Sequence, residues 1–181
     1  MTDTESIFKR KDEVTLRPVE ESDLEFLQEL VQHKNVRDTI GRPPLPVNKN
    51  EEEDYLEKVS SNDDAAYFII EYKGDNAGNI SLHGLKTEYR KGEFGISVHP
   101  DHQNRGIGTK AVKMIVEYGF ETQNLHKIRG GHLEDNKASK RVMEKAGLQE
   151  EGRECHYKYV DGEWKDVVWM SVLEDEFYGR V

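Results

Sequence analysis

Gln103, Asn104, Arg105, Gly106, Ile107, Gly108 and Thr109 follow one another between a stretch that alternates like a strand and one that repeats like a helix. Phe94, Ile96 and Val98 fall on one face of the strand, and Pro100 ends it. Ala111, Val112, Met114, Ile115 and Tyr118 lie on one face of a helix that starts near Gly106 and Gly108. The first turn of a helix carries unpaired N–H groups and a partial positive charge, and glycine lets an anion come close to the backbone. Phosphate binding by the amides of residues 105 to 109 is the chemistry this spacing predicts.

Two kinds of phosphate turn carry such glycines. Gly106-x-Gly108-x-x-Ala111 matches the dinucleotide fingerprint, but there the glycines follow their strand almost at once, whereas residues 99 to 105, Pro100 included, intervene here. Gln103-Asn104-Arg105-Gly106-Ile107-Gly108, preceded by His99-Pro100, instead resembles the Q/R-x-x-G-x-G/A signature of the GNAT N-acetyltransferase superfamily. The resemblance implies that acetyl-CoA is the co-substrate and that its pyrophosphate sits on this loop. It also implies a pantetheine arm paired like an added strand with Ile96, Ser97 and Val98, and a Val98 amide facing the thioester oxygen.

The elements that must position this turn can be read along the chain. Val14 to Pro18 reads as a first strand; Ser22 and Glu25 form a capping box ahead of a helix with Leu24, Leu27, Leu30 and Val31 on one face. Gly41 to Pro46 cannot stay helical, and Asn48 caps a second helix through Tyr55, Leu56 and Val59. Ala66–Tyr72, Ala77–Leu85 and Glu93–Val98 are three antiparallel strands leading into the phosphate turn. After the central helix come a short strand Lys127–His132, a helix capped by Asp135 or Asn136 and ended by Gly147, and a hairpin turning at Asp161-Gly162. The order is β-α-α-β-β-β-α-β-α-β-β, with residues 1–12 a polar lead and 13–181 one domain.

That order is also the GNAT order, and the resemblance therefore spans nearly the whole chain. It implies the acyl-CoA N-acyltransferase fold: a mixed, mostly antiparallel sheet of about seven strands flanked by four helices, α/β in the broad sense of α+β. Leu16-Arg17-Pro18 with Asp23, Asn136-Lys137-Ala138-Ser139 before Gly147-Leu148, Glu151-Gly152 and Asp161-Gly162-x-Trp164-x-Asp166 resemble the Rim-type, ribosomal-protein branch. Glu93 is the leading base because some GNAT enzymes carry a glutamate at a comparable place on this strand, and by resemblance to the Rim type Ser139 protonates the departing thiolate and Asn136 contacts the pantetheine arm. One departure stands out: the expected Rim-type glutamate in the strand after Glu151-Gly152 falls on Lys158, leaving Glu154 and Tyr157 as secondary candidates. Other branches use a tyrosine acid in the helix after Asn136, where this chain has Met143 and Glu144.

Composition narrows the partners. A formal net charge of −10 with 34% charged residues disfavours nucleic acid and suits cationic partners. No apolar run approaches the ~18 residues of a membrane span and no signal peptide opens the chain, so a cytoplasmic location without membrane contact is expected. Cys155 is the only cysteine, which rules out an intrachain disulfide, and the histidines show no ligand spacing, so no metal is expected. Either a monomer or a homodimer fits.

Substrate choice turns on one magnitude. At pH 7, deprotonating a lysine-like amine costs about 4–5 kcal/mol, against about 1 kcal/mol for an α-amine. A site without a secure base suits the α-amine, so the expected activity is direct transfer of acetyl to a protein N-terminus or a small-molecule amine. A polyamine acceptor, and a CoA-binding sensor without turnover, are the alternatives.

Overall fold

The computed structural model describes residues 8–40 and 62–179. Within them an eight-stranded sheet runs in the order β1-β2-β3-β4-β5-β6-β8-β7. Its strands are β1 (Lys9–Lys11), β2 (Val14–Pro18), β3 (Ala65–Tyr72), β4 (Asp75–His83), β5 (Lys91–Val98), β6 (Lys127–Leu133), β7 (Gln149–Val160) and β8 (Glu163–Leu173). The helices are α1 (Leu24–Gln32), α2 (Lys34–Ile40), α3 (Ile107–Glu121), α4 (Lys137–Lys145) and α5 (Glu174–Tyr178). All strand pairs are antiparallel except β5 with β6.

The sheet exceeds the expected seven strands because the last residues of the polar lead enter it. Lys9–Lys11 pairs with β2 as a charged edge strand, and the Phe8 ring stacks on Phe68 at 4.6 Å. Charge suits an edge, where an apolar strand would invite pairing with another chain. Two short helices, α2 and α5, were also not expected among the described residues; α2 buries only Val36, and α5 seats Phe177 against Phe120. The expected loop Gly41–Pro46 and the helix from Asn48 through Val59 lie outside the described residues.

Helix α1 starts differently from the Ser22–Glu25 capping box. A 3-10 turn over Glu21–Asp23 leads into it, and the Glu20 amide donates to Asp23 Oδ2 at 2.9 Å. Asp23 is held there by Arg17, whose Nη1 and Nη2 donate to its two oxygens at 2.6 and 2.7 Å. Arg17 Nε donates to Glu71 at 2.8 Å, and the remaining N–H groups reach Asn76 Oδ1 at 2.9 Å and the Pro18 carbonyl at 3.1 Å. All five guanidinium donors are therefore satisfied in a buried network that ties β2, β3, β4 and the entry to α1 together.

Strand alternation divides the core between two faces. Phe68, Ile70, Ile80, Leu82, Phe94 and Ile128 join one cluster with Ile107, Ala111, Met114 and Ile115 of α3 and Met143 of α4. Ile69, fully buried between Phe68 and Ile70, points to the opposite face, the side on which α1 and α2 lie against β4, β5 and β6. The two ends of the site described next open on these two faces.

Candidate acetyl-transfer site

Strands β5 and β6 pair only through Lys91–Lys127, Gly92–Ile128 and Glu93–Arg129. Beyond that point β5 continues to Val98 and β6 to Leu133 without pairing, so the sheet opens between them. The glycine pair in β6 makes the opening compact. A Cβ on Gly130 would meet the Phe94 ring at 2.5 Å, and one on Gly131 would meet Val167 at 2.9 Å and Trp169 at 3.0 Å. Gly130 lets the Phe94 ring, and Gly131 the Trp169 ring, close directly on the β6 backbone.

A cavity of about 220 Å³ occupies the opening and is lined from both faces of the sheet. Ile96, Asn136, Ser139 and Met143 line one end; Glu93, Thr39, Ile40, Tyr157, Lys158 and Trp169 line the other. By alternation Ile96 shares a face with Phe94 and α3, whereas Glu93 shares the opposite face with α2. The cavity is thus a passage through the sheet.

The predicted phosphate turn lies at the first end. The His99 ring accepts the Asp101 amide at 3.3 Å, capping a 3-10 turn over Pro100–His102 that carries the chain from β5 into the loop. Asn104 and Gly106 both adopt positive φ, 61° and 76°, which winds residues 104–106 into a concave turn ahead of α3. Ile107 is buried and anchors the helix, while Arg105 is exposed, its guanidinium 5.9 Å from the Tyr72 ring centroid. A Cβ built on Gly108 lies 3.5 Å from Val142 and 3.7 Å from Val98, so the loop rests between α4 and the end of β5.

The exposed edge of β5 faces this loop. The His99 amide donates to Ala77 on the β4 side at 2.8 Å, so alternation turns the Val98 amide and carbonyl to the open edge. Gln103 Nε2 already donates to that Val98 carbonyl at 3.0 Å. Asn136 serves α4 as well as the cavity: its Oδ1 accepts the Ser139 amide at 3.0 Å, which leaves its Nδ2 as the group to meet a ligand. Glu93, Ile96, Asn136 and Ser139 are brought together; Gln103 to Thr109 and Val98 form the adjoining loop and strand edge. Ser97 does not line the cavity, and Glu154 is turned to the Trp169 indole N–H at 3.2 Å.

Among the described residues the charged side chains at the second end include Glu93, Arg129 and Lys158, with Glu154 beside them on Trp169. Arg129 Nη2 and Nε donate to Glu93 Oε2 at 2.8 and 3.1 Å, and the guanidinium lies 4.2 Å from the Trp169 ring centroid. The Lys158 ammonium donates to the Ile40 carbonyl at the end of α2. Burial pushes this lysine below its ordinary pKa, and the Glu93 charge pushes it back up. Arg129, Trp169 and the α2 residues were not legible as site residues; the only signal was that Lys158 occupied a position where a carboxylate was expected.

A family model described as an acetyltransferase (GNAT) domain matches residues 13–149. The chain belongs to the GNAT acetyltransferase family. Among curated relatives, this acetyltransferase is 26% identical over 164 residues to spermidine N(1)-acetyltransferase of Escherichia coli (strain K12), covering 91% of this chain and 88% of that one. It is 29% identical over 180 residues to the putative ribosomal N-acetyltransferase YdaF of Bacillus subtilis (strain 168), covering 95% and 97%. Its fold superposes with a TM-score of 0.85 on spermidine N-acetyltransferase from Vibrio cholerae in complex with CoA and spermine, at 25% identity, covering 93% of this chain and 99% of that one. The GNAT enzyme is an acetyl-CoA-dependent N-acetyltransferase. Among its described residues no helix is long and apolar enough to cross a membrane.

Proposed function

We propose that this GNAT enzyme moves acetyl from acetyl-CoA to the α-amine of a small molecule or a protein N-terminus, by direct attack within a ternary complex. The observation that carries the proposal is the passage through the sheet: a phosphate turn and a free strand edge at one end, and a separate, charged end on the opposite face. Donor and acceptor then enter from different sides and meet at the β5–β6 opening. No covalent relay is needed, and Cys155 is exposed on β7 and does not line the cavity.

In this scheme the amides of residues 105 to 109 hold pyrophosphate, and the Val98 amide donates to the developing oxyanion. As the amine nitrogen bonds to the carbonyl carbon and the C–S bond breaks, one proton leaves nitrogen and one reaches sulfur. Before attack Glu93, with Oε2 occupied by Arg129, takes the proton of the incoming ammonium through Oε1 or a water; after attack the Ser139 hydroxyl, on α4 at the donor end, passes a proton to the thiolate as it regains one, through water, from the nitrogen that has bonded to carbon.

A polyamine acceptor is the second reading, favoured by an adjoining cavity of about 530 Å³ in whose walls Asp38, Asp135, Asp161 and Glu163 outnumber Lys137 and Lys165, although Lys165 and Lys34 pair with these carboxylates. It shares Thr39, Leu133 and Asn136 with the passage. Thiol release from acetyl-CoA with a panel of α-amino acids, N-terminal peptides and polyamines, with products weighed by mass spectrometry, separates the two. Turnover confined to polyamines would reject the α-amine; CoA binding without any turnover would reject the enzyme reading.

A further inference from the structure

The proposed acceptor end carries an uneven charge that goes beyond the choice between amine classes. Glu93 and Arg129 satisfy one another at 2.8 Å, and among the described residues no carboxylate lies within ion-pair distance of Lys158. Among the described residues Lys158 is therefore the cation of this end with no carboxylate paired to it, Glu154 being turned to the Trp169 indole N–H at 3.2 Å, in a chain whose formal net charge is −10.

Lys158 is also held in place. Its neighbour Tyr157 packs edge-on against Trp169 with ring centroids 6.0 Å apart, and its own ammonium reaches across from β7 to the Ile40 carbonyl on α2. Both partners line the passage, so the ammonium sits at its wall. Among the described residues one of its three N–H donors is bonded, to Ile40. A half-buried ammonium so bonded is poorly compensated, and an anion brought by a ligand would supply what burial removed.

We propose that Lys158 selects the acceptor by receiving a carboxylate carried a few bonds from the attacking amine, so that the acceptor is an amino acid rather than a polycation. The inference rests on the reading that the amine enters from the face bearing Glu93 and Lys158. The same charge repels a polyamine at the passage even though the surrounding surface attracts cations, which is selection by an unfavourable contact as much as by a favourable one.

The test compares each of the common α-amino acids with its own C-terminal amide, and with spermidine, by calorimetry on the CoA-loaded protein. In the wild type the best acid is expected to bind at least tenfold more tightly than its amide. Lys158→Met should erase that difference, and Lys158→Arg should keep most of it. With acetyl-CoA present, the loss in Lys158→Met should appear in KM for the acid. Equal binding of acid and amide by the wild type overturns the proposal, as does spermidine binding more tightly than every acid, or a Lys158→Met loss that is the same for acid and amide. If Lys158→Met fails to fold, the wild-type comparison still decides. Lysine-dependent binding of acids without acetylation of any amine would overturn the proposed function and leave the site; acetylation without an acid-over-amide preference would overturn the site alone.

Discussion

Gly106 and Gly108 look alike in the sequence, and the structure gives them different work. Gly106 holds φ at 76°, and a Cβ built on it meets nothing within 4 Å. Alanine at this position would therefore suffer backbone strain without a clash, about 1–2 kcal/mol for an L-residue in the left-handed region. If the loop relaxes away from that conformation when empty, CoA must pull it back, and the apparent Kd rises by the same free energy, roughly 5–30-fold. Gly108 is the control. Its Cβ would touch Val142 at 3.5 Å, an ordinary contact, and helix propensity favours alanine over glycine by about 1 kcal/mol. Gly108→Ala is thus expected to melt no lower than the wild type. Valine is the wrong probe there, since its extra methyls would press on Val142 and Val98 and confuse folding with binding. Calorimetric titration of CoA into the wild type and both alanine variants, with thermal melts alongside, reads the two effects separately. Unchanged CoA affinity in a Gly106→Ala protein that also melts as the wild type does would refute the strained-turn account of this site.

Arg17→Met should strand the buried Asp23 and Glu71 carboxylates at a cost of about 3–5 kcal/mol, which for a chain of this size lowers Tm by roughly 6–20 °C; a melt within 2 °C or so of the wild type would contradict the network. Burial alone would raise the Asp23 pKa, but hydrogen bonds from Arg17, the Glu20 amide and Asn76 outweigh it and hold the value down. The stability this supplies is present above the unfolded aspartate pKa of about 3.9 and is lost as pH falls through the folded value, so the Arg17→Met deficit should shrink in acid. Glu93→Gln should depress turnover at neutral pH and recover part of it at higher pH, where the amine is already neutral; an equal deficit at every pH would make Glu93 a positioning residue. Ser139→Ala should show no such recovery, and its deficit should narrow with acyl donors whose thiol has a lower pKa. Cys155→Ala should keep turnover, and an acetylated Cys155 peptide trapped by mass spectrometry alongside an inactive variant would point instead to a two-step path.

Much of the site's framework could be read from the chain because it is written in strong local signals. Asp161 and Gly162 both adopt positive φ in the β7–β8 turn, and Gly147, at φ 97°, ends α4 as its glycine predicts. The candidate phosphate turn stood out through glycines between two clear periodicities. Elements without an apolar period were lost: β1 is Lys-Arg-Lys, and α2, Lys-Asn-Val-Arg-Asp-Thr-Ile, has two apolar residues and buries only Val36. Arg17 and Asp23 were visible only as a family resemblance, since nothing in their spacing announces a five-donor guanidinium network. The end of the passage that bears Glu93 and Lys158 was the least legible part. Ile40, Glu93 and the β7–β8 hairpin that carries Lys158 and Trp169 are distant in the sequence, and the parting of β5 from β6 brings them to one passage.

Donor and acceptor entering that passage from opposite faces is the claim on which the mechanism depends, and a crystal structure of the protein with CoA tests it most directly. The account predicts pyrophosphate oxygens within hydrogen-bond distance of the amides of residues 105 to 109, the pantetheine arm along the open edge of β5, and the sulfur in the passage beside Ser139, with Glu93 and Lys158 left free on the far side. A CoA thiol emerging on the face of Glu93 and Lys158, or a pyrophosphate bound away from residues 105 to 109, would contradict it.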